Sequence, residues 1–250
     1  MLDLAGALVM RNKISGRVLA PGLVMTLILM GGCGSKSDSE ETGKVDSIHA
    51  AAAQNDMTAV ENFLSQGIDI DAKDEDGSTA LHLAARHGSR DLVELLIVKG
   101  ADVIARNKYK MTPLHYAAIG GSRENSELLF AKGAEIDARN HGGWTPLFNA
   151  AMGGHISVTE FLLGHGADAN AAEDDGDTAL HYAAGNAKYK VVELLLNKGA
   201  EVKVKNKKGE TPLDWVKVRL DPRKVHPVML QYREQYLKCA ELLEKHKKDK

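Results

Sequence analysis

The sequence predicts an all-α solenoid made of helix-turn-helix repeats joined by hairpin loops. Two markers recur with the same period of 33 residues, a threonine that starts one helix and a glycine that follows the next. The threonines are Thr79, Thr112, Thr145, Thr178 and Thr211, and the glycines are Gly67, Gly100, Gly133, Gly166 and Gly199. A fixed period of this length is typical of stacked repeats, because each unit can bury its apolar face only against its neighbours.

The first helix of each repeat has a recognisable start. Thr112 provides a hydroxyl that can act as the N-cap, and it precedes a proline. The proline lacks an amide hydrogen, but in the first helical turn this hydrogen would have no partner within the helix anyway. His115 lies three residues later and can return a hydrogen bond to the cap, in the manner of a capping box. The same position holds His82 and His181 in two other repeats. In the third full repeat the position holds Phe148, which predicts that this repeat lacks the cap interaction.

Small residues predict how closely the first helices pack. Each first helix carries a pair of alanines, which allows the neighbouring helix to approach. The pairs are Ala84-Ala85, Ala117-Ala118, Ala150-Ala151 and Ala183-Ala184. Leucine-rich second helices are expected to fill the outer layer. Gly100 and its equivalents follow the second helix, where a residue without a Cβ ends a helix most easily.

The repeated blocks resemble the ankyrin repeat. They are Thr79-Ala80-Leu81-His82-Leu83-Ala84-Ala85 for the first helix and Leu92-Val93-Glu94-Leu95-Leu96-Ile97 for the second. The resemblance covers roughly residues 45–250. It implies an N-terminal cap at 45–73, full repeats at 74–106, 107–139, 140–172 and 173–205, and a C-terminal cap at 206–250.

The C-terminal cap carries an insertion. Thr211 and Cys239 are 28 residues apart, whereas the corresponding Thr178 and Val191 are 13 apart. Pro222 and Pro227 interrupt any continuous helix, so the insertion is predicted to be a loop or extension. Because Cys239 takes the position of Val191, we expect it to be a buried apolar side chain and not a reactive thiol.

The N-terminus has the features of an export signal. Three basic residues, at 11, 13 and 17, precede an uncharged run at 18–32. This run is shorter than the ~20 apolar residues that a spanning helix needs, which favours a signal peptide at 1–32 over a permanent anchor. Either Met1 or Met10 could be the start of translation. Residues 33–44 are polar and acidic, as expected of a flexible tether.

The end of this run resembles the lipobox of bacterial lipoproteins. Gly31 and Gly32 are the small residues before Cys33, although Met30 stands where leucine is usual. The resemblance implies lipidation of Cys33, and ordinary cleavage nearby that leaves a free thiol is the alternative. Gly34 replaces the aspartate that marks inner-membrane retention. The implied location is therefore the bacterial cell envelope, lipid-anchored on the periplasmic side of the outer membrane.

Composition and motifs argue against several other functions. The formal net charge is -2, which does not favour a nucleic-acid partner. The sequence contains no glycine-rich phosphate loop, zinc-spaced cysteine pair or nucleophile elbow. The acidic runs at 74–77 and 173–176 fail the calcium-loop pattern, because Ala72 or Ala171 would be the first ligand. We therefore predict no enzymatic activity, no cofactor, no metal and no small-molecule substrate.

The ankyrin resemblance implies that the hairpin tips and the inner surface of the first helices bind an unidentified protein partner. The repeat register places ten candidate partner-binding residues there: Lys108, Tyr109, Met111, Ile119, His141, Trp144, Met152, Asp174, Asp175 and Asp177. The apolar members predict a binding centre between the second and third full repeats. Alternatively, Tyr109 and Trp144 pack against neighbouring hairpins and stabilise the stack. Two other functions stay open, an intracellular or host-directed protein with an uncleaved anchor, and a purely architectural role.

Overall fold

The computed structural model describes residues 47–221 and 231–248. These residues form twelve α-helices, each repeat contributing one inner and one outer helix. The inner helices are α1 (Ile48–Ala53), α3 (Ala80–His87), α5 (Pro113–Gly120), α7 (Pro146–Gly153), α9 (Ala179–Gly185) and α11 (Pro212–Leu220). The outer helices are α2 (Met57–Ser65), α4 (Arg90–Val98), α6 (Arg123–Ala131), α8 (Ile156–Gly164), α10 (Tyr189–Asn197) and α12 (Arg233–Lys248).

The helices stack in two layers. Each inner helix from α1 to α11 contacts the next inner helix, and the outer helices from α4 to α12 form a parallel series of contacts. All eight alanines of the four predicted pairs are 0% exposed, which confirms that small side chains line the contact between inner helices. Leucines from both layers, among them Leu81 and Leu96, complete one continuous apolar core. The predicted all-α solenoid is confirmed.

Three buried histidines link successive repeats, and we call His82, His115 and His181 the histidine ladder. In each, Nδ1 accepts a hydrogen bond from the backbone N–H of the N-cap threonine, at 3.1 Å. Nε2 of each ring bonds to a backbone carbonyl of the following repeat, at 3.0 to 3.1 Å. The predicted capping boxes are therefore confirmed, and each ring also joins its repeat to the next.

The third full repeat lacks a rung of this ladder. In α7 the Thr145 hydroxyl still accepts a hydrogen bond from the Phe148 backbone N–H, at 3.4 Å, but the phenyl ring returns none to the cap. This confirms the loss of the reciprocal interaction. The Phe148 ring is 2% exposed. In this repeat, apolar contacts of the buried ring therefore replace the hydrogen bonds that a capping histidine makes in the other repeats.

Glycines end the outer helices as predicted. Gly100 has a φ of +100° and Gly199 a φ of +92°, in the left-handed region that favours glycine. The chain then enters a hairpin loop. Among the described residues, the hairpins contain a single isolated β-bridge, between Ala172 and Thr178.

The C-terminal cap closes the stack with α12, which is 16 residues long. Cys239 has no exposed surface, and burial raises the pKa of its thiol to about 12, which confirms that it is a buried apolar residue. The Tyr236 hydroxyl donates a hydrogen bond to the Gly185 carbonyl at 3.0 Å and so fixes α12 against α9. The signal peptide, Cys33, the tether and the proline-containing part of the insertion lie outside the described residues. Within the part of the chain that is described, no helix has the length and apolar character needed to span a membrane.

Candidate partner-binding surface

Five hairpin tips form a row, and each tip after the first is hydrogen-bonded to the one before it. Backbone N–H groups of Lys108, His141, Asp174 and Lys207 donate to carbonyls of Asp76, Tyr109, Gly142 and Asp175, respectively, at 2.9 to 3.0 Å. These bonds fix the spacing of the tips. A side chain on one tip therefore has a defined neighbour on the next.

Four aromatic side chains lie together beside the tips, and we call Trp144, Phe148, Tyr182 and Trp215 the aromatic row. The Trp144 and Phe148 rings are stacked with centroids 4.9 Å apart. Tyr182 lies 4.4 Å from Phe148, 5.5 Å from Trp144 and 5.2 Å from Trp215 between ring centroids. Such distances are typical of favourable aromatic pairs. The row therefore extends from the third full repeat to the C-terminal cap.

The repeat register explains how these rings meet. Trp144 immediately precedes the N-cap threonine of α7, and Phe148 holds the capping position of that helix. Tyr182 follows the capping histidine of α9, and Trp215 is its equivalent 33 residues later in α11. Phe148 is buried, whereas Trp144, Tyr182 and Trp215 are half-buried and keep part of their rings at the surface. The Trp215 indole N–H donates to Glu210 at 3.2 Å.

Four carboxylates stand on the hairpin tip next to these rings. Glu173 Oε1 accepts bonds from the N–H groups of Asp175 at 2.7 Å and Asp177 at 3.3 Å, which shapes the turn. Asp174 and Asp175 are exposed. Burial raises the pKa of Glu173 and of Asp177. Burial and the charges of Asp177, Glu173 and Asp175 together raise the pKa of Tyr182, so its hydroxyl remains protonated in the neutral range.

Asp177 is a correction to the predicted surface. It is 7% exposed, and its Oδ1 accepts a hydrogen bond from Asn206 Nδ2 at 2.8 Å. This carboxylate therefore links the fourth repeat to the C-terminal cap instead of projecting from the tip. The repeat register gave the position of Asp177 within its repeat correctly. Its burial depends on the side-chain amide of Asn206, which belongs to the following unit.

The predicted residues of the second hairpin bond to the first one. The Lys108 ammonium donates to the Glu75 carbonyl, and the Tyr109 hydroxyl donates to Asp76 Oδ1 at 3.3 Å. Met111 packs half-buried against the core. For Tyr109, this geometry agrees with packing against a neighbouring hairpin.

The other predicted residues are distributed along the inner surface. Ile119 on α5 and Met152 on α7 occupy the same register position and are half-buried, while His141 is exposed at its tip. Trp144 belongs to the aromatic row. The predicted binding centre lay between the second and third full repeats, and Tyr182 and Trp215 were not among the predicted residues. The signal for both was their shared position one residue after the capping site.

In 47–221 and 231–248 no group of three or more histidine, cysteine, aspartate or glutamate side chains could hold a metal ion.

Comparison with known families agrees with the repeat geometry. The family model described as ankyrin repeats (3 copies) matches residues 48–140 and 133–206. No curated protein matches the chain. Ankyrin repeats are generally protein–protein interaction modules, and proteins built from them are typically non-catalytic scaffolds. Since the matched residues make up more than half of the sequence and coincide with the helical stack, the chain belongs to the ankyrin-repeat family.

Proposed function

We propose that this protein is a non-catalytic interaction module, tethered in the bacterial cell envelope by a lipid on Cys33, that binds a protein partner through its hairpin tips and inner helices. The observation that carries the proposal is the aromatic row, in which three rings are only half-buried on a surface formed by several repeats. Partly exposed aromatic side chains beside polar groups are common at the centres of protein interfaces. Rigidly spaced tips add complementarity without a large ordering cost.

The tether is supported by the sequence. An uncharged run preceded by basic residues ends in Gly31-Gly32-Cys33, which resembles the end of a lipoprotein signal peptide except that Met30 replaces the usual leucine. Several acyl chains on one cysteine hold a protein stably at a membrane, whereas one chain binds only marginally. The polar residues at 34–44 would separate the repeats from the lipid surface.

Capture of a partner by the full-length protein tests the binding function. The tagged protein is expressed in bacteria, solubilised in detergent and used to capture envelope proteins, with untagged protein as competitor. We expect at least one protein to be retained saturably and released by the competitor. The double variant Ile119→Asp/Met152→Asp puts charge on the inner helices and should lose this protein.

A matched control uses the outer layer. Ile156 is 41% exposed at the start of α8, so Ile156→Asp adds charge on a different face. Capture should survive this substitution. Equal loss in both variants, or no saturable capture by the wild type, contradicts the proposal.

The lipid is tested separately by mass spectrometry of the mature protein. We expect the N-terminal peptide to begin at Cys33 and to carry the mass of acyl chains, and Cys33→Ala to abolish both the acylation and the processing. A mature protein with an unmodified Cys33, or an unprocessed chain in the cytosolic fraction, contradicts the tether.

A further inference from the structure

Tyr182 differs from its equivalent two repeats earlier in what its hydroxyl contacts. The Tyr116 hydroxyl forms hydrogen bonds with Ser78 Oγ at 3.0 Å and Asn107 Nδ2 at 3.2 Å. At the positions around Tyr182 that correspond to Ser78 and Asn107, the sequence has Trp144 in the third full repeat and Glu173 in the fourth. Within the described residues the Tyr182 hydroxyl has no hydrogen-bond partner. A polar group is therefore available at the middle of the aromatic row.

The four carboxylates next to Tyr182 differ in whether they form hydrogen bonds within the fold or are exposed. Glu173 and Asp177 are occupied by bonds within the fold. Asp174 and Asp175 are exposed, and in residues 47–221 and 231–248 no ion pair neutralises either of them. Two exposed carboxylates thus lie on the tip next to Tyr182, whose electrostatic surroundings include Asp175. Arg139 is a basic neighbour of Asp174, because its Nη2 and Asp174 Oδ1 would each lie 2.9 Å from a Cβ on Gly143.

Aromatic rings and exposed carboxylates both attract cations. The face of an aromatic ring carries negative electrostatic potential, and Lys or Arg side chains bind over it within ~6 Å of its centre. Exposed carboxylates add attraction over roughly a Debye length. Lys207 and Lys208 lie on the following tip. The negatively charged surface at Asp174 and Asp175 therefore ends at these basic residues. Charge complementarity therefore favours a basic occupant of limited length.

We propose that the partner presents a basic peptide segment to this surface, with an Arg or Lys head group held between the carboxylates of Asp174 and Asp175 and the rings of Tyr182 and Trp144. This inference rests on the proposed function, because it names the chemistry of the partner for the same surface. The apolar stem of such a side chain packs on the half-buried rings, while its charged end stays at the acidic tip.

The chain offers a direct optical readout. It contains two tryptophans, Trp144 and Trp215, and both belong to the aromatic row. Tryptophan fluorescence therefore reports on this surface. The probe is a hexa-arginine peptide titrated into the full-length protein, with hexa-glutamate at the same ionic strength as the comparison. We expect a saturable fluorescence change with hexa-arginine and none with hexa-glutamate.

Two charge-matched double variants test the location. Asp174→Asn/Asp175→Asn removes the exposed carboxylates beside the rings and should weaken hexa-arginine binding at least tenfold. Glu75→Gln/Glu94→Gln removes the same charge from exposed positions of the first full repeat and should leave binding within about twofold. Far-UV circular dichroism checks that both variants stay folded. Equal weakening in the two variants, or no saturable change with the wild type, overturns the proposal.

The capture experiment separates this inference from the proposed function. If Asp174→Asn/Asp175→Asn still captures the envelope protein and hexa-arginine does not displace it, the basic segment is wrong and the interaction module stands. If hexa-arginine binds through Asp174 and Asp175 but no protein is captured, the surface chemistry stands and the proposed function fails.

Discussion

Replacing His115 by glutamine tests how acid destabilises the stack. The His115 ring has no exposed surface, and Nδ1 accepts a hydrogen bond from the Thr112 N–H. The proton of the neutral ring is therefore on Nε2, where it is donated to the Trp144 carbonyl at 3.0 Å. Nδ1 also lies 2.9 Å from Thr112 Oγ1, and a second proton on Nδ1 would face the Thr112 N–H donor at 3.1 Å. Burial lowers the pKa of His115 from 6.5 to about 4, and the same cause lowers the pKa of His82 to about 4.

The sign of the pH dependence follows from these values. Because the pKa in the folded state lies below the pKa in the unfolded state, the unfolded chain binds the proton first as the pH falls. The free energy of unfolding is therefore highest above about pH 6.5 and decreases as the pH falls from there towards about 4. Each pH unit in this window costs about 1.4 kcal/mol per histidine. Between pH 7.5 and pH 5 the loss is about 2 kcal/mol for His115 and about 4 kcal/mol for His115 and His82 together.

Urea unfolding at pH 7.5 and pH 5.0, followed by far-UV circular dichroism, measures this loss. Glutamine at the same position can return a hydrogen bond to Thr112 but does not titrate. We expect the wild type to lose about 2 kcal/mol more between the two pH values than His115→Gln does. The same loss in both proteins would refute a neutral, proton-excluding His115.

Three further predictions concern packing. In urea unfolding, Phe148→Ala should lower the free energy of unfolding by about 3–4 kcal/mol, because the buried ring contacts the rings of Trp144 and Tyr182. A loss below about 1 kcal/mol would mean that the aromatic row does not stabilise the fold. Gly121→Ala should destabilise strongly in thermal unfolding, since φ is +74° and a Cβ would lie 2.4 Å from the His155 ring. In the control Gly164→Ala the added Cβ meets no atom within 4 Å, so this substitution should be neutral or stabilising. Similar melting temperatures for the Gly121→Ala and Gly164→Ala variants would contradict this reasoning. Cys239 should react with a thiol reagent only after unfolding, and rapid native labelling would show that it is accessible.

The sequence by itself determined the repeat architecture. Threonine and glycine at one period, with a histidine three residues after the threonine, define where each helix starts and ends through local backbone chemistry. The capping role of His115 and the burial of Cys239 follow from position within a repeat. Local hydrogen bonding and apolar periodicity act over a few residues, so one sequence is enough to identify them.

Only the tertiary structure decided which side chains the surface offers. Asp177 is buried because Asn206 of the next unit covers it, and Trp144 packs towards Tyr182 of the following repeat. The period places these residues at equivalent positions in successive repeats, but it does not define the orientation of each side chain. Contacts between repeats depend on rotamers and on the packing of neighbouring units, and these are fixed only when the helices stack.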